Sequence, residues 1–242
     1  MTDKKLLKYL KKSFEPPNGE QILTPVVLTD SKGKYLQAQC SLPIENSIRW
    51  WDKSGRNSKQ GLKWLRDNLE TEIALIGNIS LYIWVGTCDL TEYNHPYIKL
   101  RQEPEEIVQS VINNFQKIAE ILKNYPACKL TFFEISPYSI YEWNSRRSHP
   151  DIKQFIDQDI TLVKHILQIN DHIRYINNTL ETRTPGFSID LFHPVNTSKK
   201  ESSRKAVDQY NFSLYKDGIH PDINLARVWL RKIAHKVKND CW

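Results

Sequence analysis

Residues 25–33 read PVVLTDSKG. An apolar run that ends in Thr29, Asp30 and Ser31 is how a strand buried on both faces reads when it delivers polar side chains to the edge of a parallel sheet. The pattern recurs at residues 80–86 (SLYIWVG) and 128–135 (CKLTFFEI), and more weakly at residues 187–192 (FSIDLF). Helical periodicities separate these runs. Gln60–Glu72 places Leu62, Leu65 and Leu69 at spacings of three and four. Glu103–Tyr125 repeats Ile107, Val111, Phe115, Ile118 and Leu122 and opens with Pro104 near its first turn. Asp151–Leu180 is helical in period, with a break expected near Asn170, and Pro221–Lys238 closes the chain as a helix. Strands alternating with helices build βαβ units around a parallel sheet. In such sheets reactive groups collect at the carboxyl ends of strands. Asp30–Ser31, Gly86–Thr87–Cys88–Asp89 and Asp217–Gly218–Ile219–His220–Pro221 are distant in sequence, and this topology gathers them on one rim.

The 242 residues are enough for one large domain, and a 40% hydrophobic content is enough for a packed core. Residues 1–20 (MTDKKLLKYLKKSFEPPNGE) read as a basic, amphipathic or frayed N-terminal arm, and residues 21–242 as a single domain. The arm lacks an apolar stretch followed by a small-residue cleavage site, and no segment is apolar for the length of a bilayer span. Cys40, Cys88, Cys128 and Cys241 form no CxxC pair. Two of them lie in or beside apolar runs, so free thiols in a reducing compartment are expected, and with them an intracellular, cytoplasmic location. Sequons at Asn78, Asn177, Asn196 and Asn211 carry little weight in that setting.

The formal charge of +6 is a mild excess concentrated in Lys4–Lys12 and Arg227–Lys238. It leaves a nucleic-acid or phospholipid partner open without forming a dense arginine-rich tract. Ser145–Arg146–Arg147 and Ser198–Lys199–Lys200 read as solvated loops that would suit an anionic substrate or a nucleic acid. His95, His149 and His193 sit in loops without metal-ligand spacing, and His165 and His172 lie seven apart on a helix, so no metal and no cofactor is expected. Trp50–Trp51, just before Gly55, read as core residues, with a pocket wall as the alternative.

A serine becomes a nucleophile only when a base takes its proton, and a histidine base needs an acceptor on its other ring nitrogen. The charge that develops on a substrate carbonyl needs donors aimed at it. Ser31 follows a strand, and His220 follows Asp217 by three residues, before a proline that can open a helix. Such a turn can aim both side chains at one point.

These residues carry a resemblance. LTDSKG around Ser31 resembles the GDS motif of SGNH/GDSL hydrolases. SGRNSKQGLKWL (Ser54–Leu65) resembles the second block of that family, with Gly55 in the place of the glycine that supplies an oxyanion-hole N–H. IWVGTCDLT (Ile83–Thr91) resembles the GxND block, and KDGIHPDINLARVWLRKIA (Lys216–Ala234) resembles the DxxHP block, with Asp217 and His220 in its two named positions. The blocks occur in family order across residues 22–238. The resemblance implies a flavodoxin-like three-layer α/β/α sandwich with a mostly parallel central sheet. It also implies metal-free hydrolysis of an acyl or acetyl ester of a small-molecule, lipid or carbohydrate alcohol. Ser31, Asp217 and His220 would form the triad, and Ser31, Gly55 and Cys88 would occupy the oxyanion positions.

Two positions depart from the pattern. Thr29 replaces the glycine of the first motif, and Cys88 replaces the asparagine whose amide donates to the oxyanion. A thiol is a weak donor, and loss of one good donor costs roughly 3 kcal/mol, about a hundredfold in rate. The Thr87 hydroxyl is a candidate replacement. The alternative is a catalytically inactive SGNH-fold module, of the kind that also occurs in retroelement-encoded proteins, binding nucleic acid, carbohydrate or a protein partner.

Overall fold

The computed structural model describes residues 2–193, 207 and 209–242. The sequon at Asn196 and the Ser198–Lys200 loop lie outside the described residues. In chain order the strands are β1 (Thr24–Thr29), β2 (Arg49–Asp52), β3 (Ile79–Trp84), β4 (Thr91–Asn94), β5 (Tyr97–Leu100) and β6 (Lys129–Phe132). The helices are α1 (Asp3–Leu10), α2 (Lys32–Gln37), α3 (Pro43–Asn46), α4 (Ser58–Ile76), α5 (Thr87–Leu90), α6 (Pro104–Leu122), α7 (Ile140–Ser145), α8 (Ile156–Thr179) and α9 (Ile223–Cys241).

The central sheet is parallel, in the order β2-β1-β3-β6. The strand β3 is buried at every position and β1 at every position after Thr24, as a sheet covered on both faces requires. Helices α4 and α6 pack together on one face, while α2 and α9 cover the other. The N-terminal arm is in part ordered: α1 lies against α9 and buries Leu6. This α/β/α arrangement is the fold class expected from the alternating pattern. Among the described residues no helix is long and apolar enough to cross a membrane.

Three local expectations are corrected. The run at residues 187–192 is not a strand; Ser188–Asp190 form a 3-10 turn. Phe187 and Leu191, four apart, are buried while Ile189 is exposed, which is helical spacing rather than alternation. The helix α8 runs unbroken through Asn170. RWWD at residues 49–52 forms the unanticipated strand β2, whose short half-buried edge position leaves no apolar run to read.

Among the described residues no strand pairs beyond β6, and this and the unbroken path of α8 have one cause. Asn177 of α8 accepts from the Phe132 N–H (2.9 Å) and donates to the Phe132 carbonyl (2.7 Å). Asn170, two turns earlier on the same helical face, does the same for Ile135, at 2.8 and 2.9 Å. Helix α8 thus presents side-chain amides where a fifth strand would present its backbone, and the edge is sealed. The asparagine that reads as a helix breaker is a buried strand mimic.

Replacing Asn177 by alanine leaves both backbone groups of Phe132 buried without partners. Each such group costs about 1–3 kcal/mol. Urea unfolding of Asn177→Ala should therefore show a loss of about 2–5 kcal/mol with an unchanged denaturant slope, and a change under 0.5 kcal/mol, within the roughly ±0.5 kcal/mol of ordinary surface substitutions, would show that the edge does not depend on the amide.

Candidate active site

The carboxyl ends of β1 and β3 are locked side by side. Thr29 pairs in register with Trp84, and its hydroxyl donates to the Trp84 carbonyl at 3.0 Å. Thr29 therefore does structural work at the position where the family pattern has glycine. Immediately beyond, the Lys32 N–H donates to the Asp30 carboxylate (2.9 Å) and the Gly33 N–H to the Asp30 carbonyl (3.2 Å). This tight turn sets Ser31 at the head of α2. Gly33 has no room for a side chain: a Cβ there would lie 2.4 Å from the Thr29 methyl and 2.8 Å from Asp52 Cβ.

His220 comes from the turn before α9. Asp217 Oδ1 accepts the Ile219 and His220 N–H groups at 3.1 and 2.8 Å, while Oδ2 meets His220 Nδ1 at 2.7 Å. One carboxylate thus closes the turn and orients the imidazole. The turn is seated on α7 through the Ser139 N–H to the Gly218 carbonyl, 3.1 Å. Gly218 has φ +92°, and a Cβ would lie 2.8 Å from the Trp143 nitrogen. The N-terminus of α9 is capped by Asp222, which accepts from the Leu225 N–H at 2.7 Å. Tyr35 stacks on the His220 ring, with centroids 4.5 Å apart and planes at 28°.

His220 Nε2 lies 2.8 Å from Ser31 Oγ. Burial would raise the Asp217 carboxyl, but the hydrogen bond from His220, the His220 charge and the two backbone N–H groups outweigh it and hold it below the usual carboxylate range. An ionised Asp217 only accepts, so the proton sits on Nδ1 and Nε2 is left to accept from the Ser31 hydroxyl. The structure brings Ser31, His220 and Asp217 into one continuous chain.

This chain opens on a cleft of about 570 Å³ that Ser31, Gly55, Thr87, Cys88 and His220 all line. Among the described residues, the backbone N–H groups of Ser31 and Gly55 donate to no protein acceptor. Burial, reinforced by Asp30, pushes the Cys88 thiol up to about 12, which keeps it a neutral thiol rather than a thiolate nucleophile. The loop that carries it turns at Gly86, with φ +124°, where a Cβ would meet Ile135 Cδ1 at 2.3 Å. Asp89 clamps the neighbouring loop by accepting from Ser58 N (2.8 Å) and Ser58 Oγ (2.7 Å), which fixes the Gly55–Ser58 segment against the tip of β3. Burial raises Asp89 to about 6 against those two bonds.

Several residues in the cleft or buried behind it were not visible in the sequence pattern. Lys32 is only 4% exposed and turns inward, pairing with Asp30, donating to Thr87 Oγ1 at 2.8 Å and lying over the Trp84 ring. The hairpin β4–β5 forms a wall through Tyr93, Ile98 and Arg101. Asn144 fastens that hairpin by bonding both backbone groups of Ile98 (2.9 and 2.7 Å). Trp143 and Arg147 of the adjoining α7 segment line the cleft as well, Trp143 donating to the Pro96 carbonyl at the hairpin turn at 3.2 Å. Arg147 is thus part of the cleft, whereas Trp50 and Trp51 are not; Trp51 packs on Trp64. All four cysteines are unpaired. Among the described residues, no three His, Cys, Asp or Glu side chains gather in a metal-binding group.

No protein-family model and no curated protein sequence matches the chain. Solved structures do. A GDSL-like lipase from Bacteroides thetaiotaomicron matches with a TM-score of 0.58 at 16% identity, covering 98% of this chain and 97% of that one. An acetyl xylan esterase matches with a TM-score of 0.58 at 10% identity, covering 87% and 98%. A lipase/acylhydrolase from Enterococcus faecalis matches with a TM-score of 0.52 at 13% identity, covering 91% and 98%. The chain has the SGNH/GDSL hydrolase fold.

Asp89 gives this region a pH signature. Between pH about 4, its ordinary value, and about 6, the folded chain holds a proton at Asp89 that the unfolded chain has released. The Asp89 contribution to stability therefore falls as pH rises through that window and levels off above it. Urea unfolding of wild type and Asp89→Asn across pH 4–7 should show the wild type losing ground to the variant between pH 4 and 6. A constant difference would mean that the carboxyl titrates normally.

Proposed function

We propose that the chain is a serine esterase that cleaves an acyl or acetyl ester without a metal or cofactor. The observation that carries this reading is the Ser31–His220–Asp217 chain, with links of 2.8 and 2.7 Å, at the floor of an open cleft. The fold's likeness to a lipase, an acylhydrolase and an acetyl xylan esterase supports it. Ser31 Oγ attacks the ester carbonyl as His220 Nε2 takes its proton, and Asp217 stabilises the imidazolium. His220 then returns the proton to the departing alcohol. Water, deprotonated by His220, attacks the acyl-serine, and the released Ser31 recovers its proton.

The tetrahedral oxyanion would be held by the Ser31 and Gly55 N–H groups, with Thr87 supplying the donor that Cys88 lacks. Thr87 Oγ1 accepts from the Lys32 ammonium, so the hydroxyl's own proton must point elsewhere, and among the described residues it has no protein acceptor. The cation behind it polarises that O–H towards donation. Cys88 remains as a small neutral wall.

The noncatalytic alternative draws its support from Cys88 and from the cations that line the cleft. It leaves the aligned Ser31, His220 and Asp217 without a purpose, which is why the esterase reading is preferred.

A fluorophosphonate probe should label wild type at Ser31 and leave Ser31→Ala unlabelled, and 4-nitrophenyl acetate hydrolysis should follow the same pattern. Thr87→Val should lower kcat by roughly tenfold to a hundredfold with little change in KM, because a donor aimed at the oxyanion acts on the transition state. Cys88→Asn should raise kcat. If wild type, Cys88→Asn and Ser31→Ala are indistinguishable by labelling and turnover, the binding-module reading replaces this one.

A further inference from the structure

The charges around Ser31 are unequal in how they are satisfied. The nearby carboxylates are each engaged: Asp30 with Lys32, Asp89 with Ser58, and Asp217 with His220. The cations lining the cleft are not. Among the described residues, Lys34, Arg101 and Arg147 have no carboxylate within ion-pair distance. Lys34 is exposed, and such a lysine alone would mean only a solvated surface. Arg101 and Arg147 are half-buried, where a guanidinium without a carboxylate gives up hydration with no opposite charge in return.

Their placement is specific. Arg101 follows β5 and lines the cleft together with Thr87 and Cys88. Its backbone is pinned by its N–H to the Leu90 carbonyl at 3.0 Å. Arg147 lines the same cleft from the end of α7, its guanidinium 3.3 Å from the Trp143 ring centroid, and donates to the Trp143 carbonyl at 3.0 Å. A stacked guanidinium held on one edge presents its remaining N–H groups as a preorganised fork for a carboxylate or phosphate. Trp143, Tyr35 and Tyr93 supply aromatic surface between the cations. A cleft of about 570 Å³ has the size of a small-molecule site, and these cations line the one cleft that Ser31 lines.

We infer that the substrate is a small ester bearing an anionic group, a carboxylate or a phosphate, which Arg101 and Arg147 bind while Ser31 faces the ester carbonyl. This rests on the esterase reading for the chemistry, but the anion selectivity belongs to the cleft itself. The anion could lie on the alcohol or on the acyl part, and two matched substrate pairs separate these. On the alcohol side, 4-acetoxybenzoate is compared with its neutral near-isostere 4-acetoxybenzamide. On the acyl side, the phenyl monoester of terephthalate is compared with the corresponding primary amide.

In at least one pair the anionic member should have kcat/KM about tenfold higher, mainly through KM. That ratio should shrink from 0.05 to 0.5 M salt, where screening shortens to a few ångströms, and in Arg101→Gln and Arg147→Gln. Neutral members equal to or better than both anionic ones, or a ratio unmoved by salt and by both arginine variants, would overturn the inference. If no Ser31-dependent turnover is found with any ester, the esterase reading fails separately. Binding of the same four compounds to the wild-type chain by calorimetry then decides: tighter anion binding that weakens in the arginine variants sustains the anionic site, and equal binding removes it.

Discussion

The register between β1 and β3 is the constraint on which the rest of the molecule depends. Their pairing sets Thr29 beside Trp84, and the side-chain bond from Thr29 to the Trp84 carbonyl holds that register at its last rung. Everything reactive hangs from this rung: Ser31 lies two residues beyond one strand and Gly86 two beyond the other. A shift of one residue would turn every buried side chain of the fully covered strand β3 towards the opposite layer, so the register is fixed by the core as well as by the bond. The third contributor, the Asp217–His220 turn, reaches the same rim from the far end of the chain because α9 packs on the face of these two strands.

The sheet could be short because its edge was closed by side chains. The amides of Asn170 and Asn177 stand in for backbone, and Asn144 repeats the device on the β4–β5 hairpin. Each asparagine carries one acceptor and two donors at a spacing that matches the N–H and C=O of a single residue. The same device explains why the sequence misled at Asn170. A polar residue in an apolar helical period reads as a break, and the compensating partner lies about 35 to 46 residues away. Tertiary hydrogen bonding is invisible to periodicity.

The long, strongly periodic elements were legible because burial imposes their pattern directly: β1, β3, β6, α4, α6 and α9 fall where the sequence places them to within a few residues. The strand β2 and the 3-10 turn at Ser188–Asp190 were not, since a short half-buried edge and a compact apolar turn leave no distinguishing period. In the site, Ser31, Gly55, Cys88, Asp217 and His220 could be picked out because they lie in blocks with fixed spacing, and all of them line or support one cleft. Lys32, Tyr35, Arg101 and Trp143 could not, because their places depend on which way a side chain turns at a strand end or on a hairpin. Arg147 is intermediate: its Ser-Arg-Arg setting suggested an anion partner but not its position beside the nucleophile.

Lys32 shows why such residues matter to the chemistry. A buried cation beside Ser31 would normally be costly, and Asp30 offsets part of that cost by pairing with it. The pairing leaves Lys32 a further donor, which goes to Thr87 rather than to solvent. Asparagine at position 88 would supply a neutral amide dipole. The arrangement present here places a full charge one bond further back and passes its influence through a hydroxyl. The two solutions differ physically: an amide donor is fixed by its own planarity, whereas a hydroxyl rotates and has to be fixed by what it accepts. Lys32 provides that fixing, and it can do so only while Asp30 holds it in place. The Thr29–Asp30–Ser31–Lys32–Gly33 turn therefore couples the proposed nucleophile and its neighbouring charge in one five-residue segment and reaches the proposed third oxyanion donor, Thr87, through Lys32, so that the departure at Cys88 and the buried lysine are two parts of a single proposed rearrangement.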